Sequence, residues 1–361
     1  MSLLKKIKNG IFAKDTGLFI KIILLPLSFI SLFYEIILKI RSFLYSINLF
    51  KTRGLNAKVI SIGNITVGGT GKTPMVIAVA EVLAKNGKKV AVLSRGYKSI
   101  EEGKLKIVSD EKEIKLDPES AGDEPYLIAE RLKGVPVITC PDRYESGKYA
   151  IENFGADAII LDDGFQNLAV KKDIDILLID AINPFGNNHL LPRGVLREPL
   201  SAFKRADIII ITKADYPENI SDIICTVRLY NAHAPIFKAS YRPSGLINLA
   251  TGKEIGVGEL NNKSVSIFSG IANPLSFSYL IKNAGAKIIG EFVFNDHHSY
   301  TKVNIDKIVG SAGKDVAMII TTEKDAVKIR EFIKEDINIW AIRVDIDILD
   351  NRNELERLVL N

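Results

Sequence analysis

The sequence predicts an α/β fold: a parallel β-sheet flanked by helices, joined to a second, smaller α/β domain and preceded by a hydrophobic helix. Three observations predict it. Short runs of Val, Ile and Leu recur from Val59 onward, each followed by a helix-compatible stretch. Such runs belong to strands buried on both faces, the condition of a parallel sheet covered by helices. One of them leads into a glycine-rich loop and then a helix, as in nucleotide-binding sheets. The 361 residues are 47% hydrophobic and 25% charged, an ordinary globular composition. At roughly 100 to 200 residues per domain, that length suggests two cores.

Residues 1–53 form a basic, apolar helical segment. They hold nine Lys and Arg against Asp15 and Glu35, a net of +7, while the remainder carries 39 basic against 41 acidic residues. A basic pole on a near-neutral body points to an anionic surface touched by one end of the molecule, and excludes nucleic acid held along a groove. Ile22 to Tyr34 runs uncharged for 13 residues, and Pro26 interrupts it. A membrane span needs about 20 such residues, so this stretch reads as interfacial or as packed on the body. On a helix, Ile36, Ile37, Ile40, Phe43, Leu44 and Ile47 continue the apolar face, with Lys39 and Arg41 placed to reach lipid headgroups. No small-residue cleavage site follows, as a signal peptide requires.

Residues 54–235 hold the strand-like runs Val59 to Ile62, Val90 to Ser94, Val135 to Thr139, Ala158 to Leu161, Ile174 to Ile179 and Ile208 to Thr212. Residues 236–257 are richer in Gly, Pro and polar residues and read as an extended, hairpin-like linker. Residues 258–361 form the smaller domain, with runs at Val265 to Phe268, Lys287 to Gly290, Val316 to Ile320 and Asn338 to Val344. Cys140 and Cys225 lie 85 positions apart without a CxxC, which fits a reducing compartment better than a disulfide framework or a zinc ribbon.

The sharpest chemical signal is VISIGNITVGGTGKTP, Val59 to Pro74. A glycine-rich loop between strand and helix lets consecutive N–H groups face one anion, with Lys72 reaching the β and γ phosphates and Thr73 holding magnesium. The strict P-loop pattern has Gly where this chain has Thr66, but Gly68, Gly69 and Gly71 keep the backbone flexible. The candidate nucleotide-binding set is therefore Thr66, Val67, Gly68, Gly69, Thr70, Gly71, Lys72 and Thr73. LDDGFQ supplies the carboxylate a P-loop needs on a neighbouring strand: Asp162, with Thr73, is the candidate metal ligand. Asp163 and Gln166 follow as candidates for the metal shell or for orienting substrate, and Asp163 also reads as a helix cap. Asp180 reads as a structural stop. Thr212-Lys213-Ala214-Asp215 matches the short pattern by which many GTPases hold guanine, and equally an adenine contact or an ordinary strand end.

Binding a nucleotide is not a function, so the acceptor must be sought elsewhere. SAGDEP sets Asp123 and Glu124 after a glycine and before a helix, and FNDHHS holds two of four histidines, His297 and His298, beside Asp296. A histidine and a carboxylate that meet form a base and its orienter, able to deprotonate an alcohol. Taken alone, the histidine pair also reads as a surface loop.

Together with VLSRGY (Val92 to Tyr97), CPDRYESG (Cys140 to Gly147), LLPRGVLREP (Leu190 to Pro199), FSGIANP (Phe268 to Pro274), NDHHSYT and TEKDAVK (Thr322 to Lys328), these motifs occur in specific order and spacing. In them the chain resembles the tetraacyldisaccharide 4'-kinase family of lipid A biosynthesis along nearly its whole length. The resemblance implies a P-loop NTPase-like kinase that uses ATP and Mg²⁺ to phosphorylate the 4'-hydroxyl of an acylated glucosamine disaccharide 1-phosphate, giving lipid IVA. It implies a peripheral monomer on the cytoplasmic face of the inner membrane, with a lipid substrate and the membrane surface as its partners. It also implies a catalytic dyad of Asp123 and His297, with Glu124, Arg143, Asp163, Gln166, Arg197 and Glu198 as the substrate or metal shell. Two domains joined by a linker suit a site that closes to exclude water.

Two rivals differ in particular residues. A nucleotide-switched, membrane-binding ATPase or GTPase acting on a protein partner usually carries Lys where this loop has Val67, and needs no histidine loop. A GTP-dependent metallochaperone needs a Cys-rich metal motif, which the sequence lacks.

Overall fold

The β-branched runs fold as strands, with helices in several of the stretches between them, in a computed structural model that describes residues 24–96, 103–215, 220–313, 315–334 and 337–361. The five lysines before Ile22 and Tyr97 of VLSRGY lie outside the described residues. The chain divides into two compact units: Met1–Arg95, Asp142–Ser240 and Ile348–Asn361 form one, and Gly96–Pro141 and Tyr241–Asp347 the other. This division crosses the linear boundaries expected at 54–235, 236–257 and 258–361. Side chains far apart in sequence account for the difference. Arg131 pairs with Glu323 at 3.0 Å, and Arg330 with Glu130 at 3.1 Å, tying residues 96–141 to the later strands. Lys58 Nζ donates to the Val359 carbonyl at 2.7 Å, and Leu349 N–H to the Lys238 carbonyl at 2.8 Å, which bind the C-terminal residues to the first unit.

The first unit is built on a parallel sheet. Its strands lie in the order Val90–Ser94, Ala158–Asp162, Lys58–Gly63, Ile174–Asp180 and Ile208–Thr212, and the last pairs with Ile236 to Lys238, the start of strand Ile236–Asn248. Ile60, Ile160, Ile176 and Ile210 are fully buried, which accounts for the unbroken apolar runs. Helices Lys72–Lys85 and Arg143–Phe154 pack on the sheet. The register sets Ile62 beside Asp162 and Asp180 beside Thr212, so the strands deliver their carboxyl ends to one edge, where open α/β sheets bind ligands. Gly164 permits this edge to close. A Cβ there would lie 2.6 Å from Leu161 Cβ and 2.7 Å from Ser61 Oγ, so no other residue fits the turn after Asp163.

The hydrophobic helix spans Leu25–Ser46. Pro26 does not interrupt it but occupies its first turn, where the missing N–H has no helical partner to lose. Polar contacts hold the inward face: Ser31 Oγ to the Leu190 carbonyl and Tyr34 Oη to the Arg197 carbonyl, both 2.9 Å, Arg193 N–H to Ser31 Oγ at 3.0 Å, and Arg41 to the Gln166 carbonyl. Arg41 thus turns inward and not to a headgroup, whereas Lys39 stays out and pairs with Glu35. The outward face is apolar, with Phe33 66%, Ile37 61% and Phe43 60% exposed. Among the described residues no helix is long and apolar enough to cross a membrane.

In the second unit, strands Lys287–Val293, Ser264–Ser269, Met318–Thr322 and Ile339–Ile348 lie side by side in that order and pair in parallel. The segment 236–257 is a strand through Asn248 that turns back on itself, Leu246 and Ile247 pairing antiparallel with Ile255 and Glu254. Helix Pro274–Asn283 buries Phe277 and Ile281 against Val265, Ile267 and Ile320. Residues 96–141 add the antiparallel pair Lys106–Ser109 and Val137–Thr139 and the helix Asp123–Arg131. That helix packs against helix Glu323–Ile329, and this contact positions the chemistry of the unit.

Candidate active site

The sequence-predicted site residues gather in two groups, one in each unit. In the first, strand Lys58–Gly63 opens into the loop and the helix begins at Lys72, with Gly68 and Gly71 at φ of 127° and 86°. Only glycine takes such angles without strain. A Cβ at Gly68 or Gly69 would meet nothing within 4 Å, so the loop faces open space at both. Its flanks are fixed: Val67 N–H donates to the Val195 carbonyl at 2.8 Å, Arg197 N–H to the Ile65 carbonyl at 2.7 Å, and Thr70 N–H to the Gly68 carbonyl at 3.1 Å. The N–H groups of Val67 and Thr70 are therefore bonded within the protein.

Lys72 lies 3.4 Å from Asn64 Oδ1 and 3.7 Å from Asp163, while Arg197 Nη1 reaches both Asp163 oxygens at 2.8 and 2.9 Å. Burial alone would push the Asp163 carboxyl up, but Lys72 and Arg197 hold it below the usual carboxylate range. Asp163 is thus the counter-ion of two cations beside the loop, in a left-handed turn (φ 53°) and not at a helix cap. Asp162 is buried and accepts from Ser94 Oγ at 2.9 Å. Arg143, also buried, has Nη2 3.4 Å from the Asp162 carbonyl. The Thr73 hydroxyl and the Asp162 carboxylate are hard oxygen donors at the carboxyl edge of the sheet, a set that fits Mg²⁺. Gln166 does not point outward; its Nε2 donates to the Asn64 carbonyl at 2.8 Å, bracing the loop. Glu198 is buried and paired with Arg205 at 2.8 Å, and Arg205 stacks 4.6 Å over the Phe165 ring.

The Thr212-Lys213 pair braces the same loop. Thr212 Oγ1 donates to the Thr70 carbonyl at 3.0 Å and Lys213 Nζ to the Gly69 carbonyl at 3.3 Å, while Lys213 also pairs with Asp180. The Lys213 side chain is 4% exposed, so this lysine secures the loop from beneath instead of reading a base. Asp180, expected as a structural stop, is its counter-ion.

In the second unit, Asp123 opens its helix after Gly122, which stands at φ 90°. Asp123 Oδ2 lies 3.2 Å from His297 Nδ1. His297 stands at φ 56°, a left-handed conformation costly for a residue with a Cβ. Its N–H is held by the Gly270 carbonyl at 3.1 Å, and Gly270 N–H in turn by Asp325 Oδ2 at 2.9 Å. Helix Glu323–Ile329 contributes two lysines one turn apart. Lys324 Nζ lies 3.1 Å from His297 Nε2, 3.2 Å from Glu124 and 3.6 Å from Asp296, and Lys328 Nζ lies 3.6 Å from Asp123. Burial would push the Asp123 carboxyl up, but the hydrogen bond from His297 and the charge of Lys328 hold it below the ordinary range. His298 turns away, stacking on Phe294 and bonding Asn304. In TEKDAVK the lysines Lys324 and Lys328 stand at i and i+4, the spacing that puts two side chains on one helix face, but spacing alone gives them and Asp325 no role at the site.

Because breaking one member of a buried ion pair strands the other, Lys213→Met should cost about 3–5 kcal/mol of stability in urea unfolding. The double change Lys213→Met with Asp180→Leu should recover most of that loss. A single change costing no more than a surface substitution would contradict the bracing role.

The comparisons with known proteins agree on one family. The family model for tetraacyldisaccharide-1-P 4'-kinase, LpxK, matches residues 20–361. The tetraacyldisaccharide 4'-kinase of Halothermothrix orenii is 41% identical over 346 residues, covering 91% of this chain and 90% of that one. That of Desulfotalea psychrophila is 42% identical over 331 residues, covering 90% and 93%. The crystal structure of LpxK from Aquifex aeolicus in complex with ATP is similar at a TM-score of 0.76 and 33% identity, covering 93% of this chain and 97% of that one. This chain belongs to the tetraacyldisaccharide-1-P 4'-kinase family.

Proposed function

We propose that this chain transfers the γ-phosphate of ATP to the 4'-hydroxyl of a tetraacyl glucosamine disaccharide 1-phosphate, forming lipid IVA, with His297 as the base and Asp123 as its orienter. The observation that carries the reading is the 3.2 Å contact between His297 Nδ1 and Asp123 Oδ2, in a unit separate from the nucleotide loop. Nucleotide binding alone has no use for such a pair. A protein that switched between ATP and ADP on a membrane would need the loop and not the dyad, and the family assignment favours the kinase.

The residues divide the work. The loop from Thr66 to Thr73 cradles the phosphates, and Lys72 and Arg197 meet the γ-phosphate with charge that Asp163 balances beforehand. Thr73 and Asp162 would hold Mg²⁺, which would supply charge neutralisation to the phosphates. His297 takes the hydroxyl proton at Nε2 as the 4'-oxygen bonds to phosphorus and the bond to the ADP oxygen breaks. Asp123 accepts the hydrogen bond from Nδ1–H and stabilises the imidazolium that results. Its carboxyl, held low by His297 and Lys328, stays charged throughout the neutral range, so it orients the ring without competing for the proton.

The acceptor is a lipid, and removing it from a bilayer costs about 0.8 kcal/mol per CH₂ exposed, so the enzyme works at the membrane. The outward face of helix Leu25–Ser46 provides the contact, with Phe29, Phe33, Ile37 and Phe43 as its most exposed large apolar side chains. The basic charge of residues 1–53 favours an anionic cytoplasmic leaflet, and the chain acts as a peripheral monomer.

Removing either member of the dyad should slow transfer by about 10² to 10⁴, the range for general base catalysis, with ATP affinity nearly unchanged. Since the two act as one unit, Asp123→Ala with His297→Ala should be little worse than the more severe single change. Multiplying losses in single-turnover assays would place them in separate roles. Replacing Phe33, Ile37 and Phe43 together with Ser should weaken sedimentation with anionic vesicles, while leaving thermal stability intact because none of the three is core. Unchanged sedimentation would refute the membrane face.

A further inference from the structure

His297 has a partner on each ring nitrogen, and both partners have one-sided hydrogen-bond chemistry. An ionised carboxylate only accepts, so Asp123 Oδ2 at 3.2 Å requires a proton on Nδ1. An ammonium only donates, so Lys324 Nζ at 3.1 Å requires Nε2 to carry the lone pair. The two demands name the same tautomer. We propose that Lys324 is a positioning residue that sets the protonation of His297, holding Nε2 bare and the ring neutral in the resting enzyme so that this nitrogen is ready for the 4'-hydroxyl proton. The inference rests on the dyad reading above and adds to it the group that prepares the base.

Three features support it. Lys324 and Lys328 stand one turn apart on helix Glu323–Ile329, and each meets a different member of the dyad: Lys328 the carboxylate at 3.6 Å, Lys324 the imidazole. Thr322 caps the helix by accepting from Asp325 N–H, and Glu323 anchors it to Arg131 at 3.0 Å, so the two lysines are presented on a fixed frame. Lys324 is also supplied with a second set of acceptors, Glu124 at 3.2 Å and Asp296 at 3.6 Å. It can release Nε2 to an arriving hydroxyl without losing its counter-charge. Burial would lower the Lys324 ammonium, but Glu124 and Asp296 hold it above its ordinary value, so it stays a donor at neutral pH. Once the proton has moved to Nε2, the imidazolium and Lys324 repel, which favours return of the proton to solvent after transfer.

Around the ring, Asp123 lies 3.2 Å from Nδ1, Lys324 3.1 Å and Asp296 4.0 Å from Nε2, with Glu124 paired to Lys324 and Lys328 to Asp123 behind them. Removing Lys324 takes a positive charge from beside the ring and leaves the carboxylates, so the ring keeps a proton more readily.

The test uses full-length enzyme with ¹⁵N-labelled histidine. Long-range ¹H–¹⁵N spectra of the wild type, with His297→Gln to assign the signal, should show the Nδ1–H tautomer at neutral pH. The Nε2–H tautomer in the wild type would overturn the proposal without any Lys324 variant. In Lys324→Met the acid limb of the kcat profile should move to higher pH, with kcat at neutral pH lower by about tenfold, less than the 10² to 10⁴ of losing the base, and KM for ATP unchanged. Lys324→Arg, which keeps a charged donor, should hold the limb near its wild-type position. A Lys324→Met enzyme whose activity falls while the limb and the His297 signal stay in place would also overturn it. Failure of the dyad reading looks different: His297→Gln itself would then keep full transfer.

Discussion

The hydrogen bond between Asp123 and His297 joins residues 174 positions apart, and much of the second unit is arranged to allow it. Gly122 turns the chain so that Asp123 opens a helix, and Arg131 at the far end of that helix fixes it to Glu323. Asp325 reaches back to Gly270, whose carbonyl holds His297 in a backbone conformation it would not choose. A left-handed histidine is a local cost, and it is met by a chain of hydrogen bonds that starts in the buried helix Glu323–Ile329. The parallel strands supply the frame on which those loops end.

Charge is managed in a similar way in both units. Lys72 and Arg197 would repel each other beside the loop, and Asp163 stands as the counter-ion of both. Lys213 and Asp180 pair beneath the same loop and anchor its carbonyls. Around the histidine, Lys324 and Lys328 stand between Asp123, Glu124 and Asp296. In each case the cations are paired with carboxylates of the protein itself.

Much of this was legible in the sequence, and the reasons are physical. Strands buried on both faces must be apolar throughout, so runs such as Ile208–Ile211 announce themselves, and the loop from Thr66 to Thr73 has few alternatives once strand and helix flank it. The helix Leu25–Ser46 was legible as apolar, but Arg41 was not legible as inward-facing, because its partner is a backbone carbonyl 125 positions away. The division of the chain was hidden for the same reason. Periodicity says nothing about Arg131 meeting Glu323 or Lys58 meeting the Val359 carbonyl. Glu198 looked like a phosphate-site residue from its motif, and its pairing with Arg205 became visible only in three dimensions. Lys324 and Lys328 had the spacing of one helix face, yet spacing alone does not name what the face meets.

The account turns on where the γ-phosphate goes. The direct measurement is to supply γ-labelled ATP and purified tetraacyl disaccharide 1-phosphate in mixed micelles to the full-length enzyme, and to follow label in lipid and in free phosphate. The account predicts that label enters the lipid at the 4'-position, with little free phosphate. Release of label as free phosphate with none in the lipid would contradict it.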